Sequence, residues 1–172
     1  MKRIHIIDIA NGHHLKTIAA SLTLSGLGLL FLFLTSNIIW LGDLSLGSML
    51  LVFFGAVIFA AFIHSQYQLF CSRLLGFRCE ARWGLLSPMV VGKPTPKWES
   101  LGMLLAPLVD LTILLLLILN FLPSILNPFL TAVLVSNLVL SGDDLVLAIY
   151  IFKFADKGDF VKFTREGCEI WT

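Results

Sequence analysis

Residues 101–122 read LGMLLAPLVDLTILLLLILNFL, an apolar run with a single ionisable side chain, Asp110. As a helix this run would be about 33 Å long, because each residue adds 1.5 Å along the axis. That length matches the ~30 Å hydrocarbon core of a bilayer. Lipid offers no hydrogen-bond partners to the backbone, so a segment that crosses it has to be helical or part of a closed barrel. The run therefore predicts a transmembrane α-helix.

Three further apolar stretches of similar or greater length occur, at residues 18–40, 44–70 and 125–154. The 172-residue chain is 58% hydrophobic and 13% charged, with a mean hydropathy of +0.92. A water-soluble domain of this size could not bury so much apolar surface. We predict an all-α integral membrane protein with about four transmembrane helices, forming a single membrane domain over residues 1–172.

The basic residues predict the orientation of these helices. All 12 Lys and Arg residues lie before the first stretch, between the second and third, or at and after the end of the fourth. The two remaining connections contain none. Positively charged loops stay on the cytoplasmic side of a membrane. We therefore expect both termini, the loop at 71–100 and the tail at 155–172 to be cytoplasmic. A net charge of +1 gives no reason to expect nucleic acid as a partner.

The polar segments carry signs of β-structure. Residues 77–83 alternate between polar and apolar side chains, and residues 89–91 are a suitable partner, which predicts a small cytoplasmic β-hairpin or extended loop. Residues 160–171 alternate in the same way and predict a short strand in the tail. The three cysteines (Cys71, Cys79 and Cys168) fall on the predicted cytoplasmic side, where thiols stay reduced, so we expect free thiols.

Ionisable side chains inside the predicted spans are the functional candidates, because burial of each in hydrocarbon costs a few kcal/mol or more. They are His64, Asp110, Asp143 and Asp144. Counting residues from the cytoplasmic charges places His64, Asp110 and Asp144 at a similar depth. We expect a buried site or water-filled cavity shared by these three. Asp143 is expected as a further buried polar group, pointing about 100° away from Asp144 around the helix.

His64 begins the segment His-Ser-Gln-Tyr-Gln, whose spacing is that of the HExxH zinc helix. In that motif two histidines bind the metal, and the glutamate is the general base for the metal-bound water. Here Ser65 stands at the glutamate position and Gln68 at the position of the second histidine. These five residues alone favour a hydrogen-bonded polar cluster between helices over a metal site.

The order of features along the whole chain resembles a family of small bacterial membrane proteins, the putative zincin peptidases, which are related in plan to site-2 proteases. The matching pieces are the segment at 64–68, the hairpin region at 76–100, Leu-Ala-Pro-Leu at 105–108, Ser-Gly-Asp-Asp-Leu at 141–145, and the tail at 160–171. The resemblance covers most of the chain from residue 18 onward. It implies a site-2-protease-like arrangement of the helices and a bacterial plasma membrane.

The resemblance assigns His64 and Asp144 as two metal ligands, with Gln68 replacing the third. Hydrolytic zinc normally has three protein ligands and an open position for water. Ser65 has no basicity near neutral pH. We therefore expect an inactive peptidase scaffold that binds a membrane protein or peptide and needs no cofactor.

Two alternatives remain open at this point. One is an active intramembrane metallopeptidase that uses an unusual ligand set, in which carboxylates hold zinc or another divalent metal. The other is a small proton-coupled transport protein built on His64, Asp110 and Asp144.

Overall fold

The computed structural model describes residues 3–8, 14–34, 45–77, 79–83, 88–121, 126–164 and 167–172. Most of these residues are helical. The helices are α1 (His14–Leu34), α2 (Leu46–Leu74), α3 (Lys97–Ala106), α4 (Thr112–Phe121) and α5 (Asn127–Phe154).

Three of the described helical runs are long and apolar enough to cross a membrane, which fits a membrane protein. They are Leu46–Leu74, Lys97–Phe121 and Asn127–Phe154. Their outer surfaces carry large apolar side chains such as Leu51 and Ile58, which are 77% and 71% exposed. The apolar helix at the first predicted span, Leu15–Leu30, is shorter. Residues 35–40, where that prediction ends, lie outside the described residues.

The run Lys97–Phe121 contains a change of helical pitch. α3 passes into a π-helical turn at Pro107–Leu111, and α4 continues from it. Proline has no backbone N–H to donate to the preceding turn. π-turns inside α-helices are rare and are frequent at functional sites. The turn contains Asp110, and the carbonyl of Pro107 contributes to the site described below.

α5 is the central helix and contacts α1, α2, α3 and α4. A cluster of buried side chains joins it to α2 and α4, with Ala56 and Ala60 on α2, Leu115 on α4, and Val133 and Leu134 on α5. The two alanines are fully buried, so their small size lets the helices approach closely.

α1 packs on another side of α5, where the fit is also close. The hydroxyl of Ser21 donates to the carbonyl oxygen of Val139 over 2.8 Å. A Cβ atom added at Gly142 would lie 2.9 Å from the backbone nitrogen of Ser21. Glycine at position 142 therefore sets how near α1 comes to α5.

A four-stranded antiparallel sheet gathers distant segments of the chain at one end of the bundle. Its strands are β1 (Arg3–Asp8), β4 (Thr95–Pro96), β5 (Phe160–Phe163) and β6 (Gly167–Trp171), in the order β1-β6-β5-β4. β1 precedes α1, β4 lies between α2 and α3, and the other two strands follow α5.

The expected hairpin is confirmed as β2 (Cys79–Trp83) paired with β3 (Pro88–Gly92). Its register places Cys79 opposite Gly92 and Trp83 opposite Pro88. The tail forms two strands where one was expected. The expectation of an all-α chain missed β1, because this strand acquires its hydrogen-bond partner only when the C-terminal β6 lies beside it.

The sheet is packed against the helices by a second buried cluster. Val161 and Ile170 are fully buried there and contact the region of Met103 on α3 and Ile151 on α5. Lys97 also links α3 to the end of α5 by hydrogen bonds, because its ammonium group donates to the carbonyl oxygens of Phe152 and Ala155. The sheet and the ends of α3 and α5 therefore form one packed unit.

Candidate functional site

Four polar side chains meet between α2 and α5. His64 and Gln68 are four residues apart on α2, and Asn137 and Asp144 are seven residues apart on α5. Both spacings bring side chains to one face of a helix. His64 and Gln68 are each 7% exposed, and Asn137 is fully buried. The packing of α2 on α5 thus places the four groups in a nearly closed interior.

Two hydrogen bonds meet at one oxygen of Asp144. His64 Nε2 and Gln68 Nε2 each lie 2.8 Å from Asp144 Oδ2. The same two nitrogens are 3.4 Å from each other. Three of the residues that the sequence suggested for a site are therefore brought together, with their polar atoms converging on one point.

Asn137 sets the orientation of the histidine ring. Its amide nitrogen donates to the carbonyl oxygen of Pro107 over 3.0 Å and to Thr112 Oγ1 over 3.2 Å. The amide oxygen therefore faces His64, where it lies 3.0 Å from Nδ1. Because an amide oxygen can only accept, His64 Nδ1 carries a proton and donates it.

A single proton then lies between His64 Nε2 and Asp144 Oδ2. Either a protonated ring donates to a carboxylate or a carboxyl group donates to a neutral ring, and both states satisfy the same geometry. A second-sphere group that fixes the ring through Nδ1 is also what metal-binding histidines commonly have. The histidine ring is thus oriented as that of a ligand would be, with Nε2 facing the carboxylate of Asp144.

Ser65 does not face the cluster as a base would. It is 1% exposed, and its hydroxyl donates to the carbonyl oxygen of Ala61 one turn earlier in α2, over 2.9 Å. A serine hydroxyl cannot take a proton from water near neutral pH in any case. The position that carries the general base in HExxH therefore has no such group here.

Asp110 and Asp143, which the sequence suggested as further buried polar groups, are both exposed on the surface of the helix bundle. Asp110 lies on the π-helical turn, where its carboxylate accepts a hydrogen bond from the hydroxyl of Tyr67 over 3.3 Å. α5 continues as a helix through Gly142, so Asp143 and Asp144 point in different directions. The shared site accordingly contains Asp144 and neither of the other two carboxylates.

A family model described as putative zincin peptidase matches residues 57–157. The chain belongs to this family. The matched range begins in α2 before His64 and ends after α5, so it contains every residue of the cluster. No curated protein and no solved structure matches the chain.

The family name raises the question of whether these residues fit zinc. Over the ranges that the structure describes, no group of three or more His, Cys, Asp or Glu side chains is placed to hold a metal ion. His64 and Asp144 are the two strong ligands, and Gln68 offers an amide, which is a weak and neutral ligand. Hydrolytic zinc normally has three protein ligands, and this site offers two strong ones. The site does not fit hydrolytic zinc.

Asn137, Thr112 and the carbonyl of Pro107 belong to the site and were not among the residues expected from the sequence. Asn137 could have been found, because it precedes Asp144 by two helical turns and so shares its face. Pro107 contributes its backbone carbonyl oxygen, which lies in the π-helical turn. Side-chain patterns contain no signal for such a group.

Proposed function

We propose that this zincin-peptidase family member is a four-span pseudopeptidase of the bacterial plasma membrane that acts by binding a membrane protein or peptide. The observation that carries the proposal is the double hydrogen bond to Asp144 from His64 and Gln68. Ser65 and Gln68 replace the general base and the second histidine of the motif, and the two ligands that remain, His64 and Asp144, are hydrogen-bonded to each other. The family model still matches residues 57–157. This favours a role that depends on the fold and not on catalysis.

Support for a fourth span comes from the topology of the sheet. β1 and β4 belong to the same sheet, so the chain leaves one end of the bundle before α1 and returns to it after α2. α2 is long enough to cross the membrane once. α1 is then the helix that crosses the membrane before α2 returns. Its 21 residues form a helix about 31 Å long.

Support for the orientation comes from the same end of the molecule. β1, the hairpin and the tail contain or adjoin the basic segments of the sequence, and the sheet brings the N-terminal and C-terminal segments together. The positive-inside rule then favours a cytoplasmic sheet. The arrangement of α2 against α5, with the HExxH-like segment facing Gly-Asp-Asp, agrees with a site-2-protease-like plan.

The proposal is tested by elemental analysis of the detergent-purified protein. We expect well under one zinc per chain in the wild type, with no difference between the wild type and His64→Ala. The double variant Ser65→Glu with Gln68→His restores the family's motif beside Asp144 and is the positive control. One tightly held zinc per wild-type chain, removed by His64→Ala, would refute the proposal.

A peptidase assay separates the proposal from an active enzyme with unusual ligands. Under zinc-replete conditions we expect no cleavage of a membrane-inserted peptide by the wild type. Metal-dependent cleavage that disappears in Asp144→Asn would establish an active metallopeptidase. Such a result would overturn the pseudopeptidase assignment even if the bound metal were not zinc.

A further inference from the structure

The carboxylate of Asp110 lies on the outer surface of the bundle, among side chains suited to lipid. The neighbouring Val109, Ile113 and Leu114 are 48%, 53% and 48% exposed. Tyr67 on α2 donates to Asp110 Oδ2 over 3.3 Å, which is long for a bond between two oxygen atoms. A carboxylate can accept about four hydrogen bonds, so this one contact satisfies a small part of its capacity.

The position of Asp110 along its helix places it far from water. It lies 13 residues after Lys97 and 11 residues before Phe121, or about 20 Å and about 16 Å from the two ends of the helical run. Both distances put the carboxylate near the middle of a ~30 Å hydrocarbon core. A carboxylate facing lipid at that depth is costly, and such groups normally pair with another polar group.

A second copy of this chain has no basic residue placed to pair with Asp110. All 12 Lys and Arg residues lie near or beyond the ends of the apolar stretches, and none falls in the middle of one. We propose that Asp110 and Tyr67 form a docking point for a transmembrane helix of another protein that carries Lys or Arg near its centre. This inference rests on the proposed function, because it names the chemistry of the membrane protein that the pseudopeptidase binds.

The geometry of the pair suits that partner. The hydroxyl of Tyr67 bonds to one oxygen of the carboxylate, and Asp110 is exposed on the surface of the bundle. The rings of Tyr67 and Phe70 lie 6.2 Å apart on α2, and Phe70 is 54% exposed. A neighbouring helix could therefore lay apolar side chains on this surface while its ammonium or guanidinium group reaches Asp110.

The test uses a labelled 23-residue Leu/Ala transmembrane peptide with one central Lys, compared with the same peptide carrying Leu. Energy transfer to the labelled full-length protein in phosphatidylcholine vesicles measures association. We expect the wild type to bind the Lys peptide about tenfold more tightly than the Leu peptide, as expected for one interhelical polar contact. Asp110→Asn should remove this preference.

Asp143→Asn is the matched control, because it removes an exposed carboxylate from α5 and leaves the surface of Asp110, Tyr67 and Phe70 unchanged. We expect this variant to keep the tenfold preference. The docking point is refuted if the wild type binds both peptides equally, or if the preference survives in Asp110→Asn. Energy transfer between two labelled copies that is lost in Asp110→Asn would identify a second copy as the occupant and also overturn the proposal.

Tyr67→Phe separates the role of the hydroxyl from that of the carboxylate. It keeps the carboxylate and removes its internal donor, so the preference for the Lys peptide should persist or increase. A preference lost in Tyr67→Phe but retained in Asp110→Asn would assign the contact to the hydroxyl and contradict the proposal. None of these outcomes depends on zinc content, so the docking point and the pseudopeptidase assignment can fail separately.

Discussion

Replacing Asn137 with alanine should destabilise the helix bundle more than any exposed polar substitution. The change removes the hydrogen bonds to His64 Nδ1, to the carbonyl of Pro107 and to Thr112. Thr112 can turn its hydroxyl elsewhere, so the loss comes mainly from the hydrogen bonds to the other two groups, His64 Nδ1 and the Pro107 carbonyl. At about 1 kcal/mol for each of these two groups, plus about 1 kcal/mol for the cavity, we expect a loss of ~3 kcal/mol.

The assay is reversible unfolding of the purified protein by SDS in mixed micelles, with Asn120→Ala as the matched control. Asn120 is an exposed asparagine on α4 whose amide donates to Leu116 in its own helix over 2.7 Å. We expect that control to lower the free energy of unfolding by less than Asn137→Ala does, because its side chain is exposed.

A double-mutant cycle then isolates the contact between Asn137 and His64. Once His64→Ala has removed the ring, Asn137→Ala should cost less than it does in the wild type. The measured coupling should be about 0.6–1.7 kcal/mol, the range found for interhelical hydrogen bonds in membranes. Strictly additive losses, or a loss for Asn137→Ala no greater than for Asn120→Ala, would show that Asn137 does not hold the histidine.

Two further predictions concern the contact of α1 with α5 and the sheet. Gly142→Ala should lower stability by ~1–3 kcal/mol, since the new methyl group meets the backbone of Ser21, whereas Gly102→Ala, which meets nothing within 4 Å, should be neutral or stabilising by up to ~1 kcal/mol. SDS unfolding of both variants checks this, and equal effects would contradict the close packing. Burial in the sheet, with a smaller effect of the nearby Glu169, raises the pKa of the Cys168 thiol from 9.0 to about 12. The folded thiol should therefore resist maleimide at pH 8, and stability should fall as the pH rises from about 9 towards 12 because the unfolded thiol ionises first. Rapid maleimide labelling of the folded protein would contradict this prediction. So would a loss of stability at alkaline pH that is the same in Cys168→Ala as in the wild type.

The sequence was a good guide wherever a property depends on a single segment. Apolar length alone predicted the helices at 44–70, 101–122 and 125–154, because a run of this kind can satisfy its backbone only as a helix in lipid. Alternation predicted the hairpin and strand structure in the tail for a similarly local reason. β1 was missed because a lone six-residue strand is not stable by itself and depends on β6, which lies at the other end of the chain.

For the site, the spacing of His64 and Gln68 placed both on one helix face, and the Gly-Asp-Asp segment indicated a carboxylate facing them. Helix periodicity could not decide whether Asp110 turns inwards, because the π-helical turn after Pro107 alters the phase of the helix at that residue. Nor could it reveal that Asn137 lies against His64, since that contact depends on how α2 and α5 are rotated towards each other.

The sequence by itself determined the apolar length of the helices and the residues of the HExxH-like segment, in which Ser65 and Gln68 stand where the motif has its glutamate and second histidine. These are properties of residue identity and local spacing, and no packing arrangement changes them. Only the tertiary structure decided which polar groups share a site. It joined His64, Gln68 and Asp144 through hydrogen bonds, added Asn137, and left Asp110 on the outer surface. The physical reason is that a buried polar group takes whichever partner helix packing brings within about 3 Å, and that partner lies far away along the chain.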